Sequence, residues 1–232
     1  MEYLVSLMEN NDVEMSMSDS IFTTRDRNQN DADDIRIWTS EQAVAGIINT
    51  FIIPVGPWNK LYKIEIVKGN NISFSVPWFG EGLYFSVMVA QASSMVAVGH
   101  RKVYNYRLNN PNSGCTQREV KNGFSALKNI LYIKSQIHYS TSEIEEAFDW
   151  HILMNNYNLI TCIVGAKAES DYKIEVKNAI KEIRRLRPKV MKHSLLPTKQ
   201  KIMITLKTMF PLYFAKISII KSKKAFIADK MA

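Results

Sequence analysis

The side chains that most often carry enzyme chemistry are scattered along this chain and form no recognisable motif. The four histidines, His100, His138, His151 and His193, lie far apart, and none is spaced from a second His or Cys as zinc ligands are. The chain has no Gly-x-Ser-x-Gly elbow, no Gly-x-x-x-x-Gly-Lys loop and no Gly-x-Gly-x-x-Gly fingerprint. We therefore expect no enzymatic activity, no bound metal and no cofactor.

The cysteines and the densest acidic cluster fit the same expectation. Cys115 and Cys162 are too few for a disulfide framework and are typical of small buried residues in a reducing compartment. Glu143, Glu145 and Glu146 lie close together, but no second cluster completes an acid-base site. A solvated helical face accounts for these three carboxylates.

Basic side chains are the one residue type that the sequence concentrates. A first cluster comprises Arg184, Arg185, Arg187, Lys189 and Lys192. A second, looser cluster comprises Lys207, Lys216, Lys221, Lys223 and Lys224. Near an anionic membrane each such side chain contributes roughly 1 kcal/mol. The same density binds RNA, with an affinity that falls as salt rises. These ten residues are the predicted polyanion-binding site.

Charge is sorted by position along the chain. Residues 1–41 carry ten acids and three arginines, whereas residues 167–232 carry seventeen bases and five acids. Residues 9–34 are rich in Asn, Asp, Ser and Thr, which is typical of flexible segments. We therefore predict an acidic, disordered tail over residues 1–34 and one folded domain over residues 35–232.

The folded part contains both helical and strand patterns. Thr39 or Ser40 caps a helix that ends before Pro54, and further helices are predicted over 120–131, 142–152 and 171–186, the last ended by Pro188. Alternating or short apolar runs predict strands, listed by position: 61–67 and 72–76 as a hairpin, then 83–89, 102–108, 159–164, 202–207 and 214–220. This predicts an α+β fold, with a twisted antiparallel sheet packed against several helices. No signal peptide and no uninterrupted span of 18 to 20 apolar residues is evident.

Two stretches resemble the matrix proteins of rhabdoviruses. Residues 39–49, TSEQAVAGIIN, are followed by a glycine-containing loop at 51–56 and by KLYKI at 60–64. This order resembles the capped helix, loop, basic residue and aromatic-Lys-Ile strand of vesiculovirus-like matrix proteins. Residues 212–229 resemble the closing strand pair of those proteins, with a basic turn between the strands. The resemblance covers less than a quarter of the chain.

The resemblance implies a viral structural matrix protein, present in the virion and in the host cytoplasm at the inner membrane face. It would self-associate, condense the nucleocapsid and bridge it to an anionic membrane during assembly and budding. The chain has no Pro-Pro-x-Tyr motif and no lysine-rich N-terminus, so membrane or nucleocapsid contact is expected from the ten basic residues of the C-terminal half. Both basic clusters also match nuclear-import signals, which would add host transport factors as partners and a nuclear phase.

Two alternatives remain open from the residues alone. A viral cell-to-cell movement protein would bind single-stranded nucleic acid through the strands at 72–76 and 83–89 and the basic tail. A jelly-roll capsid protein is the other alternative. A movement protein is expected to bind naked RNA cooperatively and to collect at cell-wall junctions, whereas a matrix protein is expected to sediment with nucleocapsids and virions.

Overall fold

The computed structural model of the protein describes residues 1–30, 32–74, 76, 80–108, 110, 113, 118–192 and 196–231, without the side chains of residues 224 and 226–231. The helices are α1 (Glu2–Asn10), α2 (Ser40–Ile48), α3 (Ile64–Gly69), α4 (Glu81–Ala92), α5 (Val120–Gln136), α6 (Ser142–Gly165), α7 (Lys173–Lys192), α8 (Thr198–Met209) and α9 (Pro211–Met231). The strands are β1 (Met15–Ser18), β2 (Phe22–Thr23), β3 (Arg36–Thr39), β4 (Lys60–Tyr62), β5 (Met95–Gly99) and β6 (Asn105–Tyr106). The predicted α+β class is confirmed.

The chain divides into two compact units. The sheet unit contains Met1–Leu108 and Tyr132–Phe148, and the helical unit contains Asn109–Leu131 and Asp149–Ala232. The division falls within α5 and within α6.

The sheet unit is built on a mixed sheet, not on the antiparallel sheet that the sequence predicts. Its strand order is β3-β5-β1-β4, with β1 parallel to β5 and antiparallel to β4, and β3 antiparallel to β5. Met15 and Met17 on β1 and Val96 and Val98 on β5 are fully buried. The two central strands therefore form the core of this unit.

The predicted disordered tail is wrong, because residues of the N-terminal segment supply a helix and the central strand β1. Leu4, Leu7 and Met8 on α1 are buried in one cluster with Val13 and Ala97. β1 alternates Met and Ser within a polar segment of the sequence, yet all four of its residues are buried. The Ser16 hydroxyl donates to the carbonyl of Leu4 at 2.7 Å, and the Ser18 hydroxyl donates to that of Arg101 at 2.7 Å. Burying a hydroxyl that is hydrogen-bonded costs little folding free energy, so the two serines are compatible with the core.

The capped helix after Thr39 is confirmed as α2. The Thr39 side chain accepts the backbone N–H of Gln42, and the Gln42 side chain accepts the backbone N–H of Thr39. This reciprocal pair satisfies two backbone donors that the first turn leaves open. α2 packs its buried residues against α4 and holds Gly46 against the Trp38 ring.

Several predicted strands of the sheet unit are wrong. Of the first predicted hairpin strand, 61–67, only Leu61 and Tyr62 are extended, within β4, and α3 begins at Ile64. Within 72–76, the described residues form no strand, and Ser75 lies outside the described residues. Residues 83–89 lie in α4, which begins after Gly80 in the left-handed region at φ 96°. Of 102–108, only Asn105–Tyr106 is a strand, paired in parallel with β2.

The described part of the helical unit contains helices and no strand. The strands predicted at 159–164, 202–207 and 214–220 lie in α6, α8 and α9. α7 confirms the predicted amphipathic helix, but it does not end at Pro188 and continues to Lys192. Gly123 on α5 lets that helix approach α6, since a Cβ there would lie 3.0 Å from the Cα of Leu159.

Candidate polyanion and membrane interface

The last two helices of the helical unit form a bent pair. α8 ends at Met209, and α9 begins at Pro211, where the missing backbone N–H is harmless in the first helical turn. Their axes are bent by 114°. In the part of the chain that the structure describes, no single helix has the length and apolar character to cross a membrane. By those two criteria alone, α8 and α9 pass only as a bent pair.

The apolar face of α8 points to solvent. Ile202, Leu206 and Met209 are spaced by four and three residues, and Met203 and Phe210 lie on the same side, all between 41% and 59% exposed. The residues buried on the opposite side include Ile204 and Thr208. An amphipathic helix of a globular protein normally buries its apolar stripe. α8 therefore presents a surface suited to an apolar partner.

α9 adds a face on which apolar and basic side chains alternate. Leu212, Lys216, Ile220 and Lys223 are exposed and recur at intervals of four, four and three residues, and Tyr213 next to them is 63% exposed. Eight of the seventeen large apolar side chains that are exposed in the described part of the chain lie between residues 202 and 220. A concentration of this kind marks an interaction surface, whereas scattered exposed apolar residues are ordinary.

The charge of this segment has one sign. Residues 198–223 contain six lysines and no Asp or Glu. Lys199, Lys216, Lys221 and Lys223 are exposed. We call the exposed apolar and basic side chains of α8 and α9, together with Phe210 between these helices, the terminal face. Lysines beside exposed apolar side chains are the pattern of helices that lie in the plane of an anionic membrane.

The structure distributes the predicted second basic cluster over two helices. Lys216, Lys221 and Lys223 lie exposed on α9, and the side chain of Lys224 lies outside the described residues. Lys207 on α8 differs from them because its ammonium lies 5.5 Å from the centre of the Tyr157 ring. Burial and the neighbouring charge of Lys221 lower the pKa of Lys207. The Lys207 side chain is therefore partly engaged by Tyr157 within the helical unit and is less available to an external anion than the lysines of α9.

The predicted first cluster lies on α7, and two of its members are paired with carboxylates. Arg185 makes two hydrogen bonds to Glu182, at 2.8 Å and 2.5 Å. These bonds lower the pKa of Glu182 and raise that of Arg185. Lys189 lies 3.6 Å from Asp149.

Arg184 and Lys192 are exposed, and Arg187 is partly buried. The first cluster therefore presents less net charge to a partner than its sequence suggests.

The sequence analysis did not predict that a lysine of the sheet unit, Lys60, is buried. The Lys60 ammonium donates to the carbonyls of Pro54 and Gly56, at 2.8 Å and 2.6 Å, and to the side-chain oxygen of Asn59 at 2.8 Å. Burial lowers the pKa of Lys60 to about 7. These bonds close the turn before β4, so the role of Lys60 is to hold the backbone.

A polar network at the ends of the parallel strands β1 and β5 was also not predicted. The Nδ1 atom of His100 lies 2.7 Å from Asp19, which also pairs with Arg36. Asp33 accepts the backbone N–H of His100 at 3.0 Å and the hydroxyl of Tyr3 at 2.5 Å. Asp19 and His100 are 81 residues apart, and no sequence signal links them. The network ties the strand ends to α1 and β3.

The thiol of Cys162 is not activated by its surroundings. Cys162 is buried, and burial raises the pKa of its thiol. Cys115 and His193 lie outside the described residues. Among the described residues, no three His, Cys, Asp or Glu side chains are grouped so that they could hold a metal ion.

The apolar terminal face could have been found from the sequence. Residues 202–207 alternate like a strand over six positions, but Ile202, Leu206 and Met209 keep helical spacing over eight. The spacing over eight residues therefore predicts the helix and its apolar face, whereas the six-residue alternation wrongly predicts a strand.

No model of a known protein family matches this chain, and no curated protein matches it significantly.

Proposed function

We propose that this protein is a viral structural matrix protein that lies on the inner face of an anionic membrane. The observation that carries the proposal is the terminal face, where α8 exposes its apolar stripe in a segment with six lysines and no acid. Apolar side chains gain free energy by entering the boundary between headgroups and acyl chains, and the lysines gain it from the negative surface. Both contributions favour a lipid surface over water.

The resemblance to rhabdovirus matrix proteins supports the proposal at one stretch and not at the other. α2, the glycine-containing loop and Lys60 follow in the order that the resemblance implies, but the aromatic-Lys-Ile strand does not form, because β4 ends at Tyr62 and α3 begins at Ile64. The closing strand pair expected at 212–229 is wrong, since this stretch lies in α9. Self-association, condensation of the nucleocapsid, the virion location, host transport factors and a nuclear phase belong to the proposal as roles of the same matrix protein.

The alternatives lose the strands on which they were based. The movement-protein alternative relied on strands at 72–76 and 83–89 and on the basic tail; residues 83–89 are part of α4, the described residues of 72–76 form no strand, and the basic tail is its remaining support. A jelly-roll capsid needs two antiparallel sheets with eight strands in total. The larger of the two sheets in the described part of the chain has four strands and is mixed.

Vesicle co-sedimentation of the full chain tests the proposal. Wild type is expected to sediment with vesicles containing phosphatidylserine at about 100 mM salt and to be released as salt rises, because surface charges are screened over about 10 Å. The variant I202S/L206S/F210S removes three half-exposed apolar side chains, two from α8 and one from Phe210, which follows it. At about 1 kcal/mol for each side chain, its partition coefficient is expected to fall roughly 100-fold.

The matched control is I174S, which removes one apolar side chain that is 72% exposed on α7. It is expected to bind vesicles as wild type does. Absence of wild-type binding at 100 mM salt would refute the proposal. Equal loss in I174S and in the triple variant would refute the assignment to the terminal face. If the triple variant loses self-association in sedimentation velocity but keeps vesicle binding, the face contacts another copy and the assignment of membrane binding to the terminal face is wrong.

A further inference from the structure

A row of basic side chains runs along the exposed side of α7. Lys173, Lys177, Lys181 and Arg184 are all exposed and are separated by four, four and three residues. This spacing places them on one face of the helix. We call these four residues the α7 row. Three of them, Lys173, Lys177 and Lys181, were not among the residues that the sequence analysis selected.

The side chains of the α7 row are largely free of ion pairs with carboxylates in the described part of the chain. Glu182, the acid nearest in sequence to Lys181 and Arg184, is bound by the guanidinium of Arg185 through two hydrogen bonds. In the described part of the chain, Lys173, Lys177 and Arg184 have no ion pair within 4.0 Å. A partner that approaches this side of α7 therefore meets three basic side chains without an ion pair, and Lys181, whose nearest acid is already bound by Arg185.

The dimensions of the row suit a linear partner. At a rise of 1.5 Å per residue, Lys173, Lys177 and Lys181 follow at intervals of about 6 Å, and the row extends over about 16 Å. The four residues of the row line an open hollow of about 830 Å³, to which Ile174 and Ile180 contribute apolar surface. The hollow can accept the sugars or bases of a strand whose phosphates contact the row.

We propose that the α7 row binds the phosphate backbone of single-stranded RNA, without sequence preference. This inference rests on the proposed function, because it assigns the RNA contact of the nucleocapsid to a named helix. A membrane fits the row less well, since the row has one strongly exposed apolar neighbour, Ile174, whereas the terminal face has eight exposed apolar residues. A line of charge without an apolar band matches a linear polyanion better than a lipid surface.

The salt dependence of RNA binding measures the number of phosphates contacted. For single strands, the slope of log affinity against log salt is about −0.7 for each phosphate neutralised. Four contacts predict a slope of about −2.8, which is an affinity loss of about 50-fold between 50 and 200 mM salt. The probe is a fluorescein-labelled uridine 20-mer, titrated with the full-length protein and followed by fluorescence anisotropy.

The variants K177Q and K68Q form a matched pair, because each removes one exposed lysine and Lys68 lies on α3. K177Q is expected to change the slope to about −2.1, so that its RNA affinity falls about 20-fold between 50 and 200 mM salt. K68Q is expected to leave the slope unchanged. The fourfold variant K173Q/K177Q/K181Q/R184Q is expected to lose RNA binding at 100 mM salt and to keep wild-type binding to phosphatidylserine vesicles.

The other possible results distinguish the RNA contact of the α7 row from the membrane proposal. Weak RNA binding by wild type at 50 mM salt, or equal slopes for K177Q and K68Q, overturns the RNA contact and leaves the membrane proposal standing. Loss of vesicle binding by the fourfold variant, equal to its loss of RNA binding, identifies the row as a lipid contact and overturns the inference. RNA binding of the expected slope without any vesicle binding by wild type refutes the membrane proposal and retains the RNA contact.

Discussion

Replacing the buried Lys60 with methionine is expected to change stability in a way that depends on pH. Lys60 is only 6% exposed, and its three acceptors are two backbone carbonyls and an amide oxygen. Methionine has a similar length but no donor, so K60M leaves these buried acceptors without their lysine partner. An unsatisfied buried polar group costs about 1–3 kcal/mol. We expect K60M to be about 2 kcal/mol less stable than wild type at pH 9.

At pH 7 this difference is expected to be near zero. Burial lowers the pKa of Lys60 to about 7 in the folded protein, below its ordinary value of 10.5. Between these two values the unfolded chain binds the proton more tightly than the folded protein does. Raising the pH therefore increases the unfolding free energy of wild type, by about 2 kcal/mol between pH 7 and pH 9. K60M lacks this contribution.

Urea unfolding of both proteins at pH 7 and pH 9, followed by circular dichroism, measures the difference. The control is K63M, because Lys63 is 39% exposed and lies 3.7 Å from a fully exposed Asp12. It is expected to stay within about 0.5 kcal/mol of wild type at both pH values. A K60M deficit that is equal at both pH values, or greater at pH 7, would refute the reasoning. It would mean that the three acceptors hold the lysine charged despite its burial.

Three further predictions concern packing and accessibility. G123A is expected to lose about 1 kcal/mol in thermal unfolding, because its Cβ would lie 3.0 Å from the Cα of Leu159. G69A, with nothing within 4 Å of its Cβ, should be neutral, and equal effects would contradict this account. P188A is expected to raise the melting temperature, since a proline inside a helix removes one hydrogen bond and the helix continues past it; an unchanged or lower value would count against it. Cys162 is buried, and burial raises the pKa of its thiol. In a variant whose other cysteine is serine, it should resist a thiol reagent at pH 8 and react fully in urea, and rapid reaction of the folded protein would contradict its burial.

Local sequence features were predicted correctly where a few neighbouring residues decide the structure. The capping box of α2 depends on Thr39 and Gln42, which are three residues apart. The amphipathic pattern of α7 likewise repeats over its whole length, so its existence follows from periodicity. Its end did not follow, because Pro188 lies on the exposed side and the helix tolerates it there.

Short apolar runs misled the assignment of strands. Residues 83–89 and 159–164 combine branched and aromatic residues that suit either a strand or a buried helix, and no turn signal separates the two possibilities. Neighbouring helices decided the outcome, because α4 packs against α2, and Leu159 and Ile163 on α6 are buried against Val176.

The sequence by itself determined the amount and position of charge, the lack of a recognisable catalytic motif and the helices whose signals are local. These properties depend on residue identity and on spacing of a few residues. Tertiary structure decided which charges remain available and which apolar residues face out. Arg185 is neutralised by Glu182, the α7 row is not, and α8 turns its apolar stripe to solvent. It also decided that the polar strand β1 lies between β4 and β5, about 45 and 80 residues further along the chain. Burial and pairing depend on such distant partners, which local spacing does not specify.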